Sequence, residues 1–256
     1  MDETLTKNLD IIKYLINEKD FDWVHVVTGT EGSGKSTLGT ELCYYIDPNF
    51  FNKDNVITTV NELKDRFRNA EKGTSILIDE GATMFFSRDS MKKETKEATQ
   101  LLRGLRGKNC FICICMPDFF ALDKYIREHR VCSLSRVVKR GRAWFYSKSK
   151  IQYMLQQSHS VFSKNFNRSK WSNPNFKHSF PDLEPNVKKK YLEMKEQIMN
   201  TYTSKTEKNK APTKRTIIVS MFKEGYDPKE IARVVKSPLS YVREVRNEQR
   251  IVDTYK

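Results

Sequence analysis

The chain has 256 residues, with 46 basic and 32 acidic side chains, giving a net charge of +14. That length allows one large domain, or a medium domain with a small companion. Fifteen Phe, eleven Tyr and three Trp argue against wholesale disorder. No stretch reaches the roughly 18 apolar residues of a bilayer-spanning helix, and the acidic start MDETLTKNLD lacks the basic-then-apolar order of a secretory leader. Cys110, Cys113 and Cys115 sit in one apolar stretch and read as small buried hydrophobes. A zinc site built from these three with Cys132 is disfavoured, because such sites prefer tight pairs on turns. The expected setting is the reducing cytoplasm.

In chain order, Leu5, Leu9, Ile12 and Ile16 recur at helical spacing and predict an amphipathic lead helix. WVHVVT at 23–28 reads as a short strand. A glycine-rich loop follows, then the helical pattern TLGTELCYYI, which Pro48 closes. NVITTV at 55–60 predicts a strand or edge segment, and NELKDRFRNA a helix capped by Asn61. SILIDE at 75–80 predicts a buried parallel strand ending in charge. A polar helix is expected at about 90–104, the strand CFICIC at 110–115, and a helix at about 118–129. LSRVVKRGRAWFY around Gly141 predicts a hairpin. Alternating strands and helices give an α/β fold with a mainly parallel sheet.

Composition shifts after residue 150. Residues 151–212 are rich in Ser, Asn, Lys and Pro, with isolated aromatics such as Trp171, Phe176 and Phe180. They read as a basic arm with one helix near 186–202 and a linker. Residues 213–256 recover order as three short helices, with Asp227 capping the second and Pro228 in its first turn. The domains expected are thus 1–150, 151–212 and 213–256. Charge divides the same way: residues 1–135 carry a net −2 and residues 136–256 a net +16. Such asymmetry points to a polyanionic partner for the C-terminal half, nucleic acid before an acidic membrane surface.

One motif carries chemistry. Gly29, Thr30, Glu31, Gly32, Ser33, Gly34, Lys35 and Ser36 satisfy G-x-x-x-x-G-K-[ST] between a predicted strand and a predicted helix. Glycines let successive backbone N–H groups converge on phosphate oxygens at a helix N-terminus. Lys35 would reach the outer phosphates of ATP, Ser36 would hold Mg²⁺, and Thr37 could donate to the α-phosphate. Asp79 and Glu80 close the second strand. Asp79 would hold the metal through water, and Glu80 would act as general base on the attacking water. This pairing favours nucleotide hydrolysis over transfer to a small acceptor. Arg103 and Arg106 precede the third core strand, where an arginine could act as a finger toward a neighbouring subunit; a solvated basic turn is the plainer alternative. His25, His129, His159 and His178 show no metal spacing.

GTEGSGKST, SILIDEG, LLRGLRGKNCFICICMP and FALDKYIREHRV together resemble the FtsK–HerA superfamily of DNA-pumping ATPases. The nearest members are the Zot-like and packaging ATPases of viruses and plasmids, and the resemblance covers about residues 20–148. It implies a RecA-like core that assembles as a ring, usually a hexamer, and moves duplex DNA using ATP. By that match Lys35 and Ser36 hold the nucleotide, Asp79 is the metal acid, Glu80 the catalytic base and Arg106 the finger in trans. A viral or plasmid transfer or portal partner would accompany it. One departure stands out: where many members carry a γ-phosphate-sensing Gln, this chain has Cys115, Met116 and Pro117. The last three helices resemble a helix-turn-helix domain with Ile231, Ala232, Val235 and Val242 as core. Its third helix would present Ser240, Tyr241, Arg243, Arg246 and Asn247 to base edges and phosphates. The sequence also admits an ATP-switched DNA-binding regulator of the partition type, and a membrane-associated assembly ATPase.

Overall fold

The computed structural model describes residues 2–53, 55–87, 93–104, 107–158, 173–208 and 214–254. They form two compact units, one ending at Glu196 and the other running from Gln197. The first is built on a seven-stranded sheet in the order β2-β3-β4-β1-β5-β6-β7. Its strands are β1 (Trp23–Thr28), β2 (Val56–Ile57), β3 (Ser75–Ile78), β4 (Phe111–Met116), β5 (Val131–Lys139), β6 (Arg142–Ser147) and β7 (Phe176–Ser179). From β2 to β5 every pairing is parallel, while β5–β6 and β6–β7 are antiparallel.

The central strands are apolar on both faces because helices cover both. Val24, Val26, Ile76, Ile78, Ile112 and Ile114 pack into one core with Leu63 and Phe67 of α3 (Val60–Asn69). Ala98 and Leu102 of α5 (Lys93–Gly104) and Ile151 and Met154 of α6 (Lys148–Ser158) complete that layer. The opposite face carries α2 (Lys35–Ile46), with α1 (Glu3–Glu18) beside it. Gly39 sits at the α2 contact: a Cβ there would stand 2.8 Å from Leu77 Cδ1 and 3.2 Å from Cys115 Sγ. His25 is buried on this face and stacks between Phe111 and Phe145. Its ring nitrogens lie 2.6 Å from Ser133 Oγ and 3.0 Å from Ser135 Oγ.

The helices begin where local chemistry allows. Asp2 accepts from the N–H of Leu5 to start α1. α3 opens on a capping box formed by Thr59 and Glu62, two residues before the expected Asn61, because Thr59 is extended and its hydroxyl reaches the Glu62 N–H. The helix expected at 118–129 is instead two short turns. A 3₁₀ turn spans Phe119–Ala121, where Asp118 accepts from Phe120, and a π-helical turn spans Ile126–Arg130. Arg127 holds the two together by donating to the carbonyls of Phe120 and Leu122. The remaining short helix here is α4 (Ala82–Phe85).

Cys43, Cys110, Cys113 and Cys115 are buried free thiols, and Cys132 is half-buried. Burial pushes Cys110 up to about 12. Among the described residues no group of three His, Cys, Asp or Glu side chains could hold a metal, and no helix is long and apolar enough to cross a membrane.

The described residues of 151–212 hold more regular structure than the expected single helix. They contribute α6, β7 and the long helix α7 (Pro185–Lys208), of which the part up to Glu196 belongs to the first unit. Trp171 lies outside the described residues. The second unit contains α8 (Lys214–Lys223), α9 (Pro228–Val234) and α10 (Leu239–Thr254) around Ile218, Ile231, Val235, Val242 and Val245. Asp227 caps α9 through the N–H of Lys229.

Candidate nucleotide site

β1 delivers the chain to the edge where parallel strands end, and the glycine loop turns it directly into α2. Gly32 and Gly34 have φ of 70° and 97°, in the left-handed region that costs a Cβ-bearing residue about 1–2 kcal/mol. A Cβ on Gly29 would stand 2.8 Å from the Val137 carbonyl, so the loop lies against β5 at backbone contact. The Lys35 ammonium donates to the Thr30 carbonyl at 2.9 Å and thereby spans the loop. Ser33 Oγ is buried and has no hydrogen-bond partner among the described residues. An orphaned hydroxyl inside a positive-φ glycine loop, at a helix N-terminus, fits a polyphosphate.

Ser36, in the first turn of α2, donates to Asp79 Oδ1 at 2.7 Å. Asp79 stands just past the end of β3 and is buried; Glu80 beside it is exposed and holds φ at 59°. Positive φ in a non-glycine residue is sparse in proteins and gathers at functional sites. The Gly81 N–H donates to the Cys115 carbonyl at 2.8 Å, anchoring the Asp79–Glu80 turn to β4. The end of that strand, Cys115-Met116-Pro117, places a buried thiol where the resemblance implies a sensing Gln; its hydrogen bond with Cys113, together with burial, holds this thiol well above its usual range.

Ser36 and Asp79 thus meet, and Gly29 to Thr37 form one loop and helix start beside them. The donor set of a hydroxyl and a carboxylate suits a hard, oxygen-seeking cation such as Mg²⁺. Arg106 lies outside the described residues. Ser240, Tyr241, Arg243 and Asn247 are exposed on α10 in the second unit. Arg246 is exposed too, with its guanidinium 5.4 Å from the centre of the Phe222 ring.

Three residues at this site escape sequence reasoning. The Phe180 ring lies 3.5 Å from where a Cβ on Gly34 would stand. Tyr191 donates to Asp79 Oδ2 at 2.9 Å, and Lys195 Nζ lies 3.3 Å from the same oxygen. Burial and the Asp79 charge push the Tyr191 phenol well above its ordinary range. Periodicity predicts a helix there, but no local signal tells where its face docks.

These features define an α/β protein with a phosphate-binding loop and an acidic strand end facing it. The Zonular occludens toxin (Zot) family model matches residues 45–208, more than half of the chain, which therefore belongs to that family. The match includes Asp79, Glu80 and the arm as far as residue 208, and begins after the glycine loop. Similar solved structures include the N-terminal domain of zonular occludens toxin from Neisseria meningitidis, at 16% identity and TM-score 0.37, covering 50% of this chain and 84% of that one. The AAA domain of FIGL-1 shares 15% identity at TM-score 0.40, covering 62% and 58%. The genome packaging NTPase B204 from Sulfolobus turreted icosahedral virus 2, in complex with AMPPCP, shares 14% at TM-score 0.35, covering 50% and 93%. No curated protein matches the chain.

Proposed function

We propose that the chain is an ATPase that hydrolyses ATP to ADP and phosphate, works with Mg²⁺ and is driven by duplex DNA. The observation that carries the ATPase reading is the 2.7 Å bond joining Ser36 of the glycine loop to Asp79 of the acidic strand end. Loop amides and the α2 N-terminus would hold the phosphates, and Lys35 would neutralise the outer ones. Ser36 and Asp79 would hold Mg²⁺, which when bound supplies positive charge to the phosphate oxygens. Glu80 would take the proton of a water whose oxygen attacks the γ-phosphorus as the bond to the β–γ bridging oxygen breaks.

The DNA part of the proposal rests on charge and on α10. The net +16 of residues 136–256 favours a polyanion. The exposed Ser240, Tyr241, Arg243 and Asn247 form a polar helix face suited to a major groove, as a helix-turn-helix reading requires. In this proposal subunits assemble as a ring of the FtsK–HerA type, Arg106 serves as finger in trans, and the motor works in the packaging or transfer of viral or plasmid DNA.

The test is ATP hydrolysis by purified protein, with and without linear duplex DNA, at two salt concentrations. Strong stimulation that fades with salt is expected, because phosphate contacts release counterions. A low rate indifferent to DNA would replace the motor with a nucleotide-switched DNA-binding regulator, and no hydrolysis at all would sink both.

A further inference from the structure

Asp79 is a buried carboxylate whose two oxygens are both engaged. Ser36 takes one; Tyr191 and Lys195 take the other, from 112 and 116 residues away in sequence. A buried carboxylate needs a countercharge, and Lys195 supplies one from α7. Tyr191 and Lys195 are four residues apart and share one face of that helix. Met194, beside them, is 8% exposed and extends the docked surface. Tyr191 is 7% exposed, whereas the Lys195 side chain is still 42% exposed, so its ammonium can turn into solvent. The compact unit ends at Glu196, one residue beyond Lys195, while the same helix runs on to Lys208.

We propose that α7 is a latch on the nucleotide site, closed by Lys195 and Tyr191 on Asp79 and released when a Mg²⁺–nucleotide claims that carboxylate. The inference rests on reading Asp79 as the metal acid. Two cations on one carboxylate repel each other, so metal binding and the Lys195 contact compete. By linkage the competition is reciprocal: whatever pulls α7 off the core raises nucleotide affinity, and whatever seats it lowers affinity. Lys195 is thus a regulator of the site and takes no part in the chemistry.

The test is hydrogen exchange on the full chain in three states: alone, with Mg²⁺ and a non-hydrolysable ATP analogue, and with the analogue plus EDTA. Amides of residues 29–37 report the nucleotide and those of 188–196 report the latch. With Mg²⁺ and analogue, the loop gains protection and α7 exchanges several-fold faster; with EDTA, α7 stays protected. Lys195→Met keeps the aliphatic stem, speeds α7 exchange without ligand, and tightens Mg²⁺–analogue binding about 1.5- to 5-fold, the range of a part-exposed ion pair. A protected loop with α7 unchanged or slower would overturn the latch and leave the nucleotide site standing. Weaker binding by Lys195→Met would overturn it too, by making Lys195 a nucleotide ligand. No protection at 29–37 in any state would overturn the nucleotide reading and the latch with it. Should Lys195→Met not fold, Tyr191→Phe gives the same comparison with smaller changes.

Discussion

Replacing Gly81 by alanine tests whether packing beneath the acidic strand end fixes the position of Glu80. Gly81 has φ −51° and ψ −15°, a conformation alanine adopts freely, so the effect is steric. The new methyl would stand 2.5 Å from Ile114 Cγ2 and 3.1 Å from the Cys115 carbonyl oxygen. Carbon atoms pack at about 3.5–4.0 Å, so one side must move by roughly 1 Å. Ile114 cannot: it is fully buried, stiff at χ1, and lies on β4, which is paired on both sides by β1 and β3. The Glu80–Gly81 turn moves instead. Overpacking costs about 1–3 kcal/mol, and the smaller unfolded-state entropy returns about 0.4–1 kcal/mol. The net loss should centre on about 1 kcal/mol and reach at most about 2.6 kcal/mol by urea titration. A displacement of about 1 Å at the base should cost about 100-fold in ATP turnover. Gly104→Ala is the control, since nothing among the described residues lies within 4 Å of its Cβ position. A Gly81→Ala protein with unchanged midpoint and full turnover would show that packing against Ile114 does not fix Glu80.

Other outcomes follow from the same geometry. Lys35→Ala removes one exposed bond to the Thr30 carbonyl, so the unfolding free energy from urea titration should change by no more than about 0.5 kcal/mol while binding of a fluorescent ATP analogue is lost. Glu80→Gly and Glu80→Gln should both abolish hydrolysis and keep nucleotide binding. The glycine variant should be the more stable by about 0.5–1 kcal/mol, because it alone accepts the positive φ without strain; equal stability would mean the backbone is unstrained. His25 is held neutral by burial, its pKa lowered from 6.5 to about 3. The unfolded chain then binds the extra proton below about pH 6.5, so stability is full above that value and falls toward pH 3. Between pH 7 and pH 5 the loss should be about 2 kcal/mol. His25→Gln should flatten that slope, and an identical slope in the variant would show that other groups cause it.

Reading the sequence alone located the parts of the site that are local. β1, the glycine loop and α2 are consecutive, and each has its own signal: a β-rich run, positive-φ glycines and helical periodicity. Asp79 and Glu80 were legible for the same reason, as charge ending a buried apolar strand. What stayed hidden depends on distant contacts. Phe176-Lys177-His178-Ser179 is short and polar, and becomes a strand only because β6 offers an edge. Phe180, Tyr191 and Lys195 reach the site from an arm that reads as mostly irregular with one helix near 186–202, and nothing in that reading says where the helix docks. The turns at 118–130 were missed because Asp118, Asp123 and Arg127 satisfy backbone groups there that a continuous helix would have satisfied itself. On α10, Arg246 is exposed like the other expected base readers, with the Phe222 ring beside it.

The antiparallel end of the sheet makes truncation hazardous. β7 is the outermost strand beyond β6, and Phe176 stacks on Phe145 with ring centroids 4.7 Å apart. A chain cut after Lys150 would keep the phosphate loop and the acidic pair but lose that strand. The row of N–H and C=O groups along β6 would then face water beside bared Trp144 and Phe145, a ready template for pairing with another copy. Such a fragment should aggregate, and its inactivity would say nothing about catalysis. The smallest soluble form of this protein must carry the arm through β7, which makes the basic segment part of the folding problem before it is part of any partner's.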